Sequence, residues 1–124
     1  MGGFFSRLFG RTKGDVGFSL EWDGLTCRPS GGSRKVQAWE EVEPILRGLE
    51  GADGFVILSF MPERYIQASA ATDGLVLEYR EGSGDAHYAC VDPITVDRAC
   101  VLFKAYYEDP ATINQQGRWH RVVI

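Results

Sequence analysis

The sequence predicts a single α+β domain, in which an antiparallel sheet of about six to seven strands is combined with two amphipathic helices. Three observations support this fold class. Short strand-like runs separated by turn residues fill most of the chain, two other segments repeat their apolar residues at helical spacing, and no internal repeat is present. A length of 124 residues suits one domain that buries about two thirds of its unfolded surface.

Composition and charge narrow the classes of function. The chain is 44% hydrophobic and 24% charged, as soluble proteins are, and no apolar run approaches the ~20 residues that cross a bilayer. The first ten residues lack the features of a signal peptide. Cys27, Cys90 and Cys100 form no CxxC pair, which argues against disulfides and zinc. We therefore expect a cytoplasmic protein without metal or cofactor.

The net charge of -4 and the pI near 5.1 bear on possible partners. Nucleic-acid binding draws most of its affinity from basic side chains that neutralise phosphates, so this balance argues against it. A basic protein partner suits the charge better.

Residues 1–14 are predicted to be a basic amphipathic or flexible segment, followed by the domain proper at residues 15–124. If the segment turns helically, one face carries the apolar side chains of Phe4, Phe5, Leu8 and Phe9. Arg7, Arg11 and Lys13 add positive charge beside them. This pattern is compatible with weak contact to an anionic membrane surface, with docking on a protein groove, or with disorder.

The first half of the domain is predicted to contain a hairpin and a helix. Residues 16–27 alternate in hydrophobicity around Asp23-Gly24, which is typical of a two-residue hairpin turn. Residues 29–33 are expected to be a loop. A helix should begin near Glu40 or Glu41 and end by Gly51, with Pro44 in its first turn. Its apolar positions are Trp39, Val42, Ile45, Leu46 and Leu49.

Three strands should follow this helix. Residues 55–61 form an apolar run that indicates a central strand covered on both faces. Residues 65–70 and 74–80 are predicted to pair around Asp73-Gly74, and residues 87–91 to add a further short strand.

The last part of the chain is predicted to hold a second helix and a closing strand. Thr95 is the expected helix cap, Asp109-Pro110 the expected end, and residues 118–124 the final strand. The apolar stripe of this helix consists of Val96, Ala99, Cys100, Phe103, Tyr106 and Tyr107.

One cluster of reactive residue types is a candidate catalytic or metal site: Asp85, His87, Cys90 and Asp92, with Cys100 and His120 further on. His87 and Cys90 are three positions apart, so on one strand they should face opposite sides of the sheet. That spacing spoils a thiol-imidazole couple or a chelate. We therefore expect structural roles and no catalytic residues, with a small hydrolase as a minor alternative.

The acidic residues of the first helix are a candidate binding surface. Glu40, Glu41, Glu43 and Glu50 lie opposite its apolar positions. Acids on an outer helix face normally only solvate it, but together with Asp53 and Glu63 they could attract a basic partner. We expect partner binding here, without cofactor.

The order of elements from residue 55 onward resembles a family of bacterial proteins. The carrying segments are Tyr65-Ile66-Gln67, residues 74–80, His87-Tyr88, the helix at residues 96–107 and then Trp119. This pattern resembles small bacterial immunity-type proteins of the Imm1-like group. The resemblance implies an α+β protein that neutralises a cognate toxin by binding it, and it assigns no binding residues.

The sequence thus predicts a non-enzymatic protein-binding domain, with stoichiometric neutralisation of a basic toxin as its leading specific form. The alternative is a membrane-surface or oligomeric accessory protein that uses its Phe-rich N-terminus.

Overall fold

The computed structural model describes residues 17–61, 64–82 and 86–122. It confirms the predicted fold class, because a seven-stranded antiparallel sheet in the order β2-β1-β3-β4-β5-β6-β7 is combined with helices. The strands are β1 (Phe18–Asp23), β2 (Gly32–Val36), β3 (Phe55–Met61), β4 (Arg64–Ala71), β5 (Gly74–Glu81), β6 (His87–Cys90) and β7 (Trp119–Arg121). The α-helices are α1 (Glu43–Arg47) and α2 (Val96–Glu108), and the 3₁₀ helices are Trp39–Glu41 and Pro110–Gln115.

The hydrophobic core lies between one face of the sheet and the helices. Alternate residues of each strand point to it, as the period of a strand requires. The strands contribute Leu20, Trp22, Val56, Leu58, Ile66, Ala68, Leu75, Leu77 and Tyr79. The helical segments contribute Val42, Leu46, Ala99, Cys100, Leu102, Phe103, Tyr106 and Ile113. We call this side of the sheet the helix face.

The predicted hairpin at residues 16–27 is wrong in its second strand. β1 ends at Asp23, and Gly24 has the positive φ of 71° expected of a turn glycine, but the partner strand begins only at Gly32. The intervening segment is held in other ways, because Leu25 is buried and the Thr26 amide donates to the carbonyl of Gly48 at 2.9 Å. Of the predicted loop at residues 29–33, residues 29–31 are therefore connection and residues 32–33 belong to β2.

Sequence patterning missed β2 because this strand lies at the edge of the sheet. Its first four residues are exposed and Val36 alone is buried, so no alternation of apolar and polar residues marks it.

The helix predicted from Glu40 or Glu41 to Gly51 is present only in pieces. A 3₁₀ turn is followed by the five residues of α1 and then by turns up to Gly51. Pro44 lies in the first turn of α1, as expected, and its missing N–H cannot continue a helix that starts earlier. The predicted apolar side still faces the core, since Val42, Leu46 and Leu49 are buried.

The second helix agrees closely with its prediction. The Thr95 hydroxyl accepts a hydrogen bond from the Arg98 amide at 3.1 Å, which caps α2. The buried stripe includes Cys100 as predicted, and it also includes Leu102. After Asp109 the chain forms a 3₁₀ helix that the sequence analysis did not predict, and this helix buries Ile113.

The central strand β3 has the predicted bounds, yet the described residues cover it on one face only. Val56 and Leu58 are completely buried under the helices, whereas Phe55 and Ile57 on the other face are half-buried. The expectation of burial on both faces is wrong in this respect.

Two further predictions concern contact with a membrane. The N-terminal segment with Phe4, Phe5, Leu8 and Phe9 lies outside the described residues, so its membrane or docking role stays a prediction. Among residues 17–61, 64–82 and 86–122, no helix has the length and apolar character needed to span a bilayer.

Candidate functional site

The second face of the sheet carries no helix in the part of the chain that the structure describes, and we call it the open face. Strand pairing places the side chains of partner residues on neighbouring strands next to each other across this face. The open face includes Ser19, Glu21 and Asp23 of β1, Phe55, Ile57 and Ser59 of β3, Tyr65, Gln67 and Ser69 of β4, and Val76, Glu78 and Arg80 of β5. The register extends it to Lys35 of β2 and to His87 of β6.

The centre of the open face is apolar and its β1 side is acidic. Ile57 pairs with Glu21 on one side and with Gln67 on the other, while Phe55 pairs with Asp23 and Ser69. The central side chains are half-buried, whereas both β1 acids are exposed. An apolar strip bordered by charge is the usual composition of a protein contact surface.

A shallow depression of about 390 Å³ lies at one end of this strip. Its lining comes from the loop before β3, from β3 itself and from β4. The lining residues are Asp53, Gly54, Phe55, Ile57, Gln67, Ser69 and Ala70. The depression thus joins an aromatic ring and an aliphatic side chain to a carboxylate and two neutral polar groups.

A close backbone contact fixes the rim of the depression. A Cβ on Gly54 would lie 2.0 Å from the carbonyl oxygen of Asp23 and 2.7 Å from the carbonyl carbon of Gly24. Only glycine lets the two backbones approach this closely. The carbonyl of Gly54 also accepts a hydrogen bond from the amide of Ala70 at 3.0 Å, which ties the loop to β4.

The opposite end of the open face holds a buried histidine. His87 pairs with Arg80 in register, and its Nε2 lies 2.6 Å from Oε1 of Glu78. A carboxylate only accepts, so Nε2 donates to it. The imidazole is 10% exposed, and its Nδ1 has no hydrogen-bond partner among the described residues. Glu78 is therefore engaged within the domain.

The described members of the reactive cluster divide between the two faces of the sheet, and Asp85 lies outside the described residues. Cys90 lies on the helix face, where its Sγ accepts from the Leu77 amide at 3.2 Å, while His87 lies on the open face. This separation confirms the expectation from their spacing. Cys100 lies on the buried side of α2, and burial raises the pKa of its thiol. No group of three or more metal-ligating side chains occurs in the described ranges.

The predicted acidic surface is partly neutralised within the chain. Glu41 accepts from the Gln37 amide at 2.9 Å and lies 3.5 Å from Arg34, and Glu43 binds Arg47 at 3.0 Å. Arg47 also binds Asp97 of α2 at 2.8 Å.

Glu40 and Glu50 differ from these two acids, because both are exposed and neither makes an ion pair with another described residue. Two of the four predicted contact residues are thus left for a partner. They lie on the helix layer, across the sheet from the open face.

The open face was missed by the sequence analysis, although a signal for it exists. In residues 65–70 the polar side chains of Tyr65, Gln67 and Ser69 alternate with Ile66 and Ala68. Such alternation is typical of an antiparallel sheet with one solvated face, and it argues against a strand layer covered on both sides.

Comparison with protein families, curated proteins and solved structures finds no match to this chain. The resemblance to Imm1-like immunity proteins stays a prediction from the order of elements.

Proposed function

We propose that this domain works by binding a basic protein through its open face, in a stoichiometric complex and without catalysing a reaction. The observation that carries the proposal is the half-buried apolar strip of Phe55 and Ile57, bordered by Glu21 and Asp23. An apolar centre supplies the burial that drives association, and the acidic border supplies attraction and orientation.

Electrostatics favour a basic partner for this surface. The chain has a net charge of -4, and Glu21, Asp23 and Asp53 lie exposed around the apolar strip. Of the basic side chains on the same face, Arg80 on β5 lies away from them, whereas Lys35 on the edge strand β2 pairs with Ser19 and lies diagonally beside Glu21. An acidic border of this kind accelerates the encounter with a positively charged protein, and this acceleration weakens as salt rises.

The specific form that we propose is immunity, in which the domain neutralises a bacterial toxin by covering its active surface in the cytoplasm. Two points support it. The Imm1-like resemblance covers residues 55–124, which include the open-face strands β3, β4 and β5. A toxin that acts on nucleic acid carries a basic surface, and this charge complements the acids beside Phe55 and Ile57.

The test is a titration against the toxin-type protein that is encoded next to this chain. We expect saturation at one equivalent, with full protection from the toxin only at that ratio. Full protection at a small fraction of an equivalent indicates turnover and contradicts the proposal. The lack of such a neighbouring gene contradicts the immunity form.

Two matched charge reversals locate the contact surface. Glu21→Lys with Asp23→Lys should slow association about tenfold or more at low salt, because it reverses the steering field of the open face. Glu40→Lys with Glu50→Lys changes the net charge equally on the helix layer and should have the smaller effect. If the Glu40 and Glu50 variant had the larger effect, the contact would lie at the acidic surface of the first helix instead.

A third variant examines the apolar centre. Ile57→Glu places a carboxylate where the interface has to exclude water, so binding should be lost while the circular dichroism spectrum stays that of the native protein. Retained binding by this folded variant would remove the open face from the proposal.

A further inference from the structure

The depression on the open face has a lining suited to a cationic and planar group. The aromatic ring of Phe55 and the side chain of Ile57 give it an apolar wall, and Asp53 gives it a negative charge. Gln67 and Ser69 add a side-chain carbonyl and a hydroxyl that can accept hydrogen bonds. No basic residue belongs to the described lining.

We propose that this depression anchors one arginine side chain of the basic partner. The inference rests on the proposed function, and it names the residue of the partner that makes the central contact. Arginine fits because its planar guanidinium stacks on an aromatic ring while its edge donates several hydrogen bonds. Asp53, Gln67 and Ser69 provide the acceptors for these donors.

The size of the depression agrees with a side chain as its occupant. Sites that enclose a small molecule measure about 300–1,000 Å³ and cover most of its surface. The depression is shallow and open, and its volume of about 390 Å³ lies at the small end of this range. A side chain held in place by the rest of an interface needs no enclosure, and arginine is enriched among such anchors.

The site is also fixed before the partner arrives. The contact of Gly54 with the backbone of Asp23 and Gly24 holds the rim against β1, and its hydrogen bond to Ala70 holds the rim against β4. Asp53 directly precedes Gly54 in the chain, so its backbone is already held in place. Little ordering of this loop is therefore required on binding. The exposed acids Glu21 and Asp23 raise the local concentration of a cation.

The probe is a five-residue peptide with one central arginine and blocked ends, titrated into the full ¹⁵N-labelled chain and followed by NMR. We expect saturable shifts at Phe55, Ile57, Gln67 and Ser69. The same peptide with lysine should bind more weakly, because its ammonium lacks the planar stacking surface, and the uncharged citrulline peptide should bind weakest. Equal shifts with all three peptides, or shifts spread evenly over the surface, overturn the proposal.

Two variants and a control make the assignment specific. Asp53→Asn should weaken the arginine peptide about two- to fivefold, as loss of an exposed ion pair does. Phe55→Leu should weaken it by a similar factor, since it keeps an apolar wall but removes the ring. Glu40→Gln, which removes one exposed carboxylate on the helix layer, should leave the affinity unchanged. Unchanged affinity in both site variants contradicts the arginine anchor.

The failure of this inference can be told apart from the failure of the proposed function. If the toxin-type partner binds the wild type and loses binding with Ile57→Glu, but tolerates Asp53→Asn and Phe55→Leu, the open face stands and the arginine anchor falls. If the arginine peptide binds only after residues 1–13 are removed, the basic segment of the chain itself is the occupant, and the anchor for a partner is overturned.

Discussion

The two faces of one sheet differ in burial and in charge. On the helix face Val56, Leu58 and Ile66 are completely buried, whereas on the open face Phe55 and Ile57 are half-buried beside exposed acids. The same strands supply both sets, from alternate positions. The difference teaches that residues one position apart in β3 lie in separate environments, one set in the packed core and the other on the surface for which we propose a contact.

The sharpest way to break this comparison is to truncate neighbouring residues of β3. Leu58→Ala should lower the free energy of unfolding by about 2–5 kcal/mol, because it leaves a cavity in the packed core. Ile57→Ala on the open face should cost about 1 kcal/mol, close to the centre of the range for single substitutions. Urea denaturation of both variants measures the difference. Equal losses would mean that both faces are packed alike.

A second pair of variants addresses the rim of the depression. Gly54→Ala should destabilise the fold by about 1–3 kcal/mol, because its Cβ would overlap the carbonyl of Asp23. Gly51→Ala is the control, since its φ of 74° strains any other residue but its Cβ would meet nothing within 4 Å. Thermal melts compare them. A Gly54→Ala variant as stable as the wild type would show that the rim shifts freely.

A third pair examines which side of α2 faces the sheet. Cys100→Ser should cost about 1–3 kcal/mol, because a buried hydroxyl would lack a partner in the packed stripe. Val101→Ser on the next residue, which is 54% exposed, should change the stability by less than about 0.5 kcal/mol. Chemical denaturation decides between them, and similar values for both would contradict the packing of α2.

The smallest expected effect is a loss of stability at high pH that belongs to the helix face. Burial raises the pKa of Tyr79 to about 12 from an ordinary value near 10. The unfolded chain therefore loses this proton at lower pH than the folded one. Its contribution is complete below about pH 10 and is lost as the pH rises through about 12. Tyr79→Phe should flatten this part of the stability curve, and an unchanged curve would argue against the burial.

Much of the architecture could be predicted from the sequence, because long periodic segments determine it. The bounds of β3 and the buried stripe of α2 follow from apolar periodicity, and the cap at Thr95 follows from its residue type. β2 could not be predicted, since an exposed edge strand has no apolar period to detect. The first helix was overextended because periodicity does not register the missing N–H of Pro44.

The candidate site was predictable only in part. Sequence analysis identified the acids of the first helix, but ion pairs to Arg34 and Arg47 depend on tertiary contacts that no spacing shows. Asp53 was noted as an acid, and its place beside Phe55 and Gln67 emerges only once β3 and β4 pair. A surface built from several strands is not visible in any one of them.

The order of the sheet has a consequence for the behaviour of the protein in a crowded solution. In the part of the chain that the structure describes, the sheet ends at β2 and β7, and an edge strand can pair with a second molecule. Both are short, at five and three residues, and β2 carries Arg34 and Lys35 in its exposed stretch. Short charged edges disfavour strand addition between molecules, so they oppose self-aggregation through the sheet.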